Sequence, residues 1–128
     1  MERDTLKKEA SQMSGSALAF VGDAVFSLLV REMLCRQGRL PAGKMHQESV
    51  AMVRCEGQAA AIGKLLPHLT GDEMAIFLRG RNAHLSHVPK NAQVADYHAA
   101  TGLEAVFGYL HLSGQPERVR QLFDWLEL

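Results

Sequence analysis

Apolar residues recur at spacings of three and four along nearly all of this 128-residue chain, and no segment shows sustained alternation of apolar and polar side chains. That spacing is typical of helices that bury one face, whereas alternation is typical of half-buried strands. Gly38, Pro41, Pro67 and Gly114 fall where the pattern breaks, as helix start and stop signals do. A chain of this length forms one domain with a substantial core. The sequence therefore predicts a single all-α domain.

The helix boundaries follow from these signals and from one capping box. Thr70 and Glu73 have the spacing at which a hydroxyl and a carboxylate close off a helix N-terminus. The pattern does not decide whether residues 1–15 are ordered. The predicted helices cover residues 16–37, 41–66 with a bend or break near Gly57, 72–81, 92–112 and 117–127, with a loop over residues 82–91.

Charge and cysteine content limit the classes of protein. Fourteen acidic and fourteen basic residues give a net charge of zero, whereas dedicated nucleic-acid binders are usually basic. The two cysteines, Cys35 and Cys55, lie in apolar-periodic stretches, so we predict that they are reduced and buried, as in a cytosolic protein. The charged N-terminus is unlike a signal peptide, and Asp23 interrupts the longest apolar run. We expect a cytoplasmic protein with no membrane partner.

Two carboxylates stand alone within apolar runs. Asp23 is the only charged residue between positions 17 and 30, and Glu104 is the only one between positions 101 and 110. Burying a carboxylate costs free energy unless it is paired or binds a cation. A small side chain precedes each by about one turn, which leaves room for a hydrated ion. Because Mg²⁺ needs only one or two protein carboxylates, the pair predicts a shared divalent-metal site. Either carboxylate alone is also explained by a buried arginine partner or a position at the edge of the core.

A basic segment lies in the middle of this neutral chain. Arg79, Arg81 and Lys90 surround a predicted loop that also carries Asn82. Proteins hold double-stranded RNA largely through its phosphates and 2′-hydroxyls, which suits such a segment. The alternative is a solvated loop whose arginines pair with nearby carboxylates, namely Asp72, Glu73 or Asp96.

Several motifs resemble the ribonuclease III family. Residues 18–25, Leu-Ala-Phe-Val-Gly-Asp-Ala-Val, are similar to its signature, and residues 101–110 are similar to its second acidic helix. Residues 79–83 and 89–91 resemble the basic loop of Mini-ribonuclease III, the short bacterial branch that lacks a double-stranded-RNA-binding domain. The resemblance runs from Leu18 to the C-terminus and implies the helical bundle of a ribonuclease III endonuclease domain.

The chain departs from the full-length ribonuclease III pattern at two metal-site positions. Ala19 stands at the first signature glutamate, and Thr101 stands at the second-helix aspartate. Small or hydroxyl residues at these positions are usual in the Mini branch, and Tyr97 followed by Thr101 and Glu104 matches its helix. The departures therefore favour that branch.

The resemblance implies an endoribonuclease that hydrolyses double-stranded RNA to 5′-phosphate and 3′-hydroxyl ends, with Mg²⁺ as cofactor. It implies that Asp23 and Glu104 are the catalytic residues and the metal ligands. Three neighbouring residues are further candidates at this site, namely Ala19, Tyr97 and Thr101. The residues expected to hold the RNA backbone are Arg79, Arg81, Asn82 and Lys90.

Cutting both strands needs two sites, and the family achieves this with a two-fold homodimer. We expect Phe20 and Val21 to lie in the interface between subunits. The substrate implied by the resemblance is the precursor of large-subunit ribosomal RNA. A ribosomal protein that presents the RNA is a further candidate partner, because the resemblance includes no separate RNA-binding domain.

Two other interpretations remain open. One is a non-catalytic dimeric RNA-binding or ribosome-associated protein on the same fold, which would bind duplex RNA without cutting it. The other is a metal-free helical interaction module in which both carboxylates are structural. That module predicts that Asp23→Asn changes stability more than RNA cleavage.

Overall fold

The computed structural model describes residues 2–38, 41–53, 61–83 and 94–128, and every regular element in these residues is a helix. The all-α prediction is therefore confirmed. Residues 61–65 are helical and continue into a 3₁₀ turn at Leu66–His68. The α-helices are α1 (Glu2–Ser11), α2 (Gly15–Gln37), α3 (Ala42–Val53), α4 (Gly71–Arg81), α5 (Val94–Leu112) and α6 (Pro116–Trp125).

Local signals fix the helix ends as the sequence predicts. Gly38 adopts a left-handed φ of 62° and donates its backbone N–H to the Leu34 carbonyl, which ends α2. At the start of α4, Glu73 donates its backbone N–H to the Thr70 hydroxyl at 3.2 Å. The Thr70 backbone N–H donates in return to the Glu73 carboxylate at 2.9 Å. The predicted capping box is confirmed.

The first helix was not predicted from the sequence. Only Ala10 of α1 is buried, so this helix lacks the apolar stripe by which the others are recognised. α1 meets α2 at a bend of 117°, and an ion pair of 3.3 Å between Lys7 and Asp72 ties it to α4. No single helix among the described residues is long and apolar enough to cross a membrane. α1 and α2 pass that test of length and composition only when taken together as a bent pair.

One burial prediction is wrong. Cys35 is exposed, because it lies one position beyond Leu34, which belongs to the buried face of α2. Cys55, the predicted break near Gly57 and residues 84–91 of the predicted loop lie outside the described residues.

The core is built around α5. This helix packs most extensively against α2 and α4, and it also contacts α1 and α6. The Phe26 ring of α2 lies 5.7 Å from the Phe107 ring of α5 and 5.9 Å from the Phe123 ring of α6, measured between centroids. Every residue of α5 between Ala100 and Leu110 is buried except Glu104. The central helix is therefore enclosed along these turns and opens to solvent at one side chain.

A buried ion pair joins α4 to α6. Two guanidinium nitrogens of Arg118, Nε and Nη2, each donate at 2.7 Å to one carboxylate oxygen of Glu73, which is 3% exposed. Burial opposes ionisation of Glu73, but hydrogen bonds from Arg118 and Thr70 and the charge of Arg118 outweigh it. The pKa of Glu73 consequently lies below its ordinary value of 4.5. Arg118 also stacks over the Trp125 ring, 5.3 Å from its centroid.

Acid is expected to weaken the fold through Glu73. A carboxylate with a depressed folded pKa contributes stability that is present above its unfolded pKa and is lost as the pH falls through the folded value. We expect the Glu73→Gln variant to be less stable at neutral pH, since it leaves Arg118 without its anion. Between about pH 5 and pH 3 it should lose less free energy of unfolding than the unsubstituted protein. Urea unfolding across this range measures both, and parallel losses would contradict the prediction.

Candidate active site

Asp23 and Glu104 lie on two helices whose backbones touch. A Cβ atom built on Gly22 would lie 1.6 Å from the Glu104 carbonyl oxygen, and one built on Gly108 would lie 1.9 Å from the Leu18 carbonyl oxygen. Only glycine permits an approach this close on both sides. Asp23 directly follows Gly22, so the contact brings the α2 backbone next to Asp23 against the α5 backbone at Glu104, where the two helices form the α2–α5 seam.

The two carboxylates differ in their surroundings. Asp23 is exposed, and its side chain makes no hydrogen bond or ion pair with other described residues. Glu104 is half-buried within the otherwise buried stretch of α5. The premise that Asp23 is a core carboxylate is therefore wrong. α2 is apolar on its solvent side as well, where Phe20 is 83% and Leu28 57% exposed.

The positions one turn before the carboxylates point into the packing. Ala19 and Thr101 are 7% and 5% exposed. The Thr101 hydroxyl donates to the Tyr97 carbonyl of its own helix at 2.9 Å, which satisfies its proton locally. Tyr97 itself is half-buried, and its ring lies 6.3 Å from the ring of His98. None of these three residues adds a charge to the pair.

The donor set is suited to a hydrated magnesium ion. Within the described ranges, no group of three or more histidine, cysteine, aspartate or glutamate side chains is placed to hold a metal. Zinc sites need three or four protein ligands of this kind. Mg²⁺ takes oxygen ligands, keeps several waters and is held by one or two carboxylates together with substrate phosphates. Asp23 and Glu104 supply two carboxylates, of which Asp23 is exposed to solvent.

The basic segment starts next to this pair. A Cβ atom on Gly80 would lie 2.6 Å from the Cβ of Ala105 and 3.0 Å from the Thr101 carbonyl oxygen, so the end of α4 rests on α5 beside Glu104. Arg81 follows directly and is exposed, with its Nε donating to the Asn82 side-chain oxygen at 3.3 Å. The structure thus places Gly80, the residue directly before Arg81 and Asn82, against the helix that carries Glu104. Lys90 lies outside the described residues.

Arg79 has a different set of contacts from those expected for the basic segment. Its Nη1 donates to the backbone carbonyls of Ser11 at 2.7 Å and Met13 at 3.0 Å. Two of the three acidic partners named in the alternative interpretation, Asp72 and Glu73, pair with Lys7 and Arg118 instead, and among the described residues Asp96 makes no ion pair with Arg79. Arg79 is therefore engaged with the turn between α1 and α2.

The glycines of the α2–α5 seam are the functional residues that sequence reasoning did not single out. Gly22 precedes Asp23, and Gly108 follows Glu104 by one turn. A glycine inside a helix costs about 0.5–1 kcal/mol relative to alanine, so two of them beside two lone carboxylates indicate a close backbone approach. That signal was available, but it does not reveal which helices meet.

Comparison with known proteins agrees with this arrangement. The family described as "Ribonuclease III domain" matches residues 16–115. The chain is 40% identical over 119 residues to Mini-ribonuclease 3 of Streptococcus pneumoniae, covering 91% of this chain and 93% of that one. It is 42% identical over 120 residues to Mini-ribonuclease 3 of a Synechococcus species, covering 91% and 83%. It also resembles a crystal structure of a Fusobacterium nucleatum protein, with a TM-score of 0.81, 26% identity, and coverage of 88% and 90%.

Proposed function

Because the chain belongs to the Mini-ribonuclease 3 family, whose members are endoribonucleases of the ribonuclease III type, we propose that Asp23 and Glu104 form its catalytic site for cutting double-stranded RNA. The observation that carries this proposal is the backbone contact between Gly22 and Glu104. It brings the residue that precedes Asp23 against the backbone of Glu104, and of these two carboxylates Asp23 is exposed and Glu104 half-buried.

The chemistry follows from what these side chains offer. Asp23 and Glu104 would hold Mg²⁺ through their carboxylate oxygens. The buried Ala19 offers no ligand atom, and the Thr101 hydroxyl donates to the Tyr97 carbonyl in the turn before Glu104. Mg²⁺ bound there would orient and activate water for in-line attack on a phosphodiester and stabilise the departing 3′-oxygen. The contact between Gly22 and Glu104 fixes the spacing of the two helix backbones that carry the carboxylates. The products would carry 5′-phosphate and 3′-hydroxyl ends.

The segment after α4 is proposed to hold the RNA backbone. Arg81 is exposed beside the carboxylate helix, and Asn82 and Lys90 follow it along the chain. A cation and an amide at this place can contact phosphates and 2′-hydroxyls of an A-form duplex. With few phosphate contacts, binding should be modest and strongly salt-dependent.

Metal removal tests the proposed activity directly. A long RNA duplex should be cut by the purified protein in Mg²⁺, and cutting should stop in EDTA and return when Mg²⁺ is added in excess. The fragments should carry 5′-phosphates, detected by their ligation or their sensitivity to phosphatase. Salt-sensitive duplex binding without cutting in Mg²⁺ would reject the enzyme and favour the non-catalytic RNA-binding protein.

We propose that the active form is a homodimer formed through α2. Phe20 and Leu28 lie on the same side of α2, two turns apart, with Ala24 between them, and all three are exposed. Large apolar side chains exposed in a row are typical of a surface that another subunit covers. A two-fold axis through this exposed face of α2 would pair two copies of the Asp23–Glu104 site on one duplex, as cutting both strands requires.

Phe20→Glu is expected to disrupt this dimer. Each protomer would bring a charge into the subunit interface in place of an aromatic side chain. Loss of such an anchoring side chain weakens association by about 30-fold or more. Light scattering coupled to gel filtration measures the mass over a dilution series. Val50→Glu, at a 44% exposed position of α3, is the matched control and should remain dimeric. A Phe20→Glu protein that dissociates no more readily than the control would rule out this subunit interface.

The proposed biological substrate is a precursor of large-subunit ribosomal RNA, and the proposed location is the cytoplasm, where that RNA is found in bacteria. Matched relatives that bear the Mini-ribonuclease 3 name come from bacteria. A ribosomal protein that presents the RNA would supply specificity beyond the few contacts of the Arg81 segment. Cleavage of the naked precursor RNA tests the proposed substrate. Comparison with the precursor bound to ribosomal proteins tests whether a ribosomal protein presents it.

A further inference from the structure

We infer that Arg79 is a positioning residue, which holds the turn between α1 and α2 against the end of α4 and thereby sets where the RNA-contacting segment leaves that helix. The inference deepens the proposed function and rests on it. It assigns Arg79 a different role from that of Arg81, although the two cations are only two positions apart in the sequence.

The contacts of Arg79 are those of a clamp on the backbone. One nitrogen, Nη1, donates to two carbonyl oxygens, those of Ser11 at 2.7 Å and Met13 at 3.0 Å. Ser11 is the last residue of α1, and the carbonyls of the last helical turn have no N–H donor within the helix. A planar guanidinium at the end of a long stem can bridge two such oxygens, whereas the compact ammonium of lysine matches this geometry less well.

The backbone of Arg79 is fixed at the same place as its side chain. A Cβ atom on Gly15, the first residue of α2, would lie 2.6 Å from the Arg79 carbonyl oxygen and 3.0 Å from the Gly80 Cα. The start of the helix that carries Asp23 therefore abuts the last turn of α4. Because both partners are backbone, this contact cannot adjust by a change of rotamer.

Gly80, the residue after Arg79, connects this position to α5, the helix that carries Glu104. Gly80 rests against the Thr101 carbonyl, and the chain then leaves α4 through two hydrogen bonds. The Asn82 N–H donates to the Leu78 carbonyl at 2.9 Å, and the Ala83 N–H donates to the Gly80 carbonyl at 3.2 Å. A shift of the last turn of α4 would move Arg81 and Asn82 relative to Glu104.

Replacing each arginine separately distinguishes positioning from RNA contact. Arg79→Gln should lower the single-turnover cleavage rate at saturating duplex by about tenfold, because misplacement of about an ångström has effects of this order or greater. Its duplex Kd in EDTA, and the slope of log Kd against log salt, should stay unchanged. Arg79→Lys should recover part of the rate. Arg81→Gln should instead weaken binding and reduce the salt slope by about one, since it removes one phosphate contact.

A second readout does not depend on cleavage. Amide hydrogen exchange at Asn82 and Ala83 should accelerate in Arg79→Gln and stay unchanged in Arg81→Gln, with both proteins held well below their melting temperatures. A reduced salt slope in Arg79→Gln would overturn the inference in favour of RNA contact. An unchanged cleavage rate, or unchanged amide exchange at Asn82 and Ala83, would show that Arg79 does not position the segment. Either result would also overturn the inference. If the unsubstituted protein fails to cut RNA, the proposed function fails, and the exchange experiment still decides whether Arg79 positions the segment.

Discussion

Asp23→Asn is expected to lower the Mg²⁺-dependent cleavage of duplex RNA by more than about 1,000-fold, which corresponds to about 4 kcal/mol of transition-state stabilisation. The amide keeps the size of the side chain but loses the negative charge that holds a hard cation. In the proposed site two carboxylates hold the ion, so removing one would leave only Glu104. Single-turnover cleavage of a labelled duplex at saturating protein measures the rate.

The fold should tolerate this substitution. Asp23 is exposed and makes no hydrogen bond or ion pair with other described residues, so the melting temperature should stay close to that of the unsubstituted protein. Mg²⁺ should raise the melting temperature of the unsubstituted protein and raise that of Asp23→Asn much less, because an ion that binds only the folded state stabilises it. This second measurement reports on the metal without RNA.

Asp124→Asn is the matched control. It makes the same chemical change at an exposed position of α6 and should leave both the cleavage rate and the Mg²⁺ response unchanged. An Asp23→Asn protein that still cuts RNA at a comparable rate would exclude Asp23 as a metal ligand. A large loss of stability with little loss of cleavage would favour the helical interaction module instead.

Gly22→Ala is expected to destabilise the protein by more than about 3 kcal/mol, above the usual range for overpacking. The added Cβ would stand 1.6 Å from the Glu104 carbonyl oxygen and 2.9 Å from the Gly108 nitrogen. Both are backbone atoms of α5, so relief requires the two central helices to separate. Separation would also move Asp23 away from Glu104, and we expect cleavage to fall by about 100-fold or more in whatever fraction remains folded.

Gly63→Ala separates this clash from the general effect of adding a methyl group. Gly63 lies in the helical residues 61–65, is exposed, and has no atom within 4 Å of the position a Cβ would take. It should gain about 0.5–1 kcal/mol from the higher helix propensity of alanine. Urea unfolding of both variants gives the two free energies. A Gly22→Ala protein with native stability would show that the helices do not depend on this close contact.

The helix ends were predictable because their causes are local. The left-handed Gly38 and the Thr70–Glu73 capping box act within one turn of chain, and both appear as predicted. α1 was missed because a surface helix with a single buried residue, Ala10, carries no apolar period to recognise. The burial of Cys35 was mispredicted because an apolar stretch that is also apolar on its solvent side does not show which face is buried.

The sequence singles out the candidate residues of the site but not their geometry. Asp23 and Glu104 stand out because each is the only charge in an apolar run, and their family motifs surround them. Their separation of 81 positions in the chain says nothing about distance in space. That their two helices meet at these positions depends on Gly22 and Gly108, which let the backbones of α2 and α5 touch.

The sequence by itself determined the helical class, most helix ends, the two carboxylates and the family, because these depend on periodicity, capping and motifs carried within short stretches of chain. The tertiary structure alone decided which faces are buried and how residues far apart in the chain are paired. It enclosed α5 between Ala100 and Leu110 except at Glu104 and left Asp23 open to solvent. It also turned Arg79 toward the α1–α2 turn, while Arg81 stayed exposed. Such outcomes depend on contacts between distant segments, and no local pattern contains them.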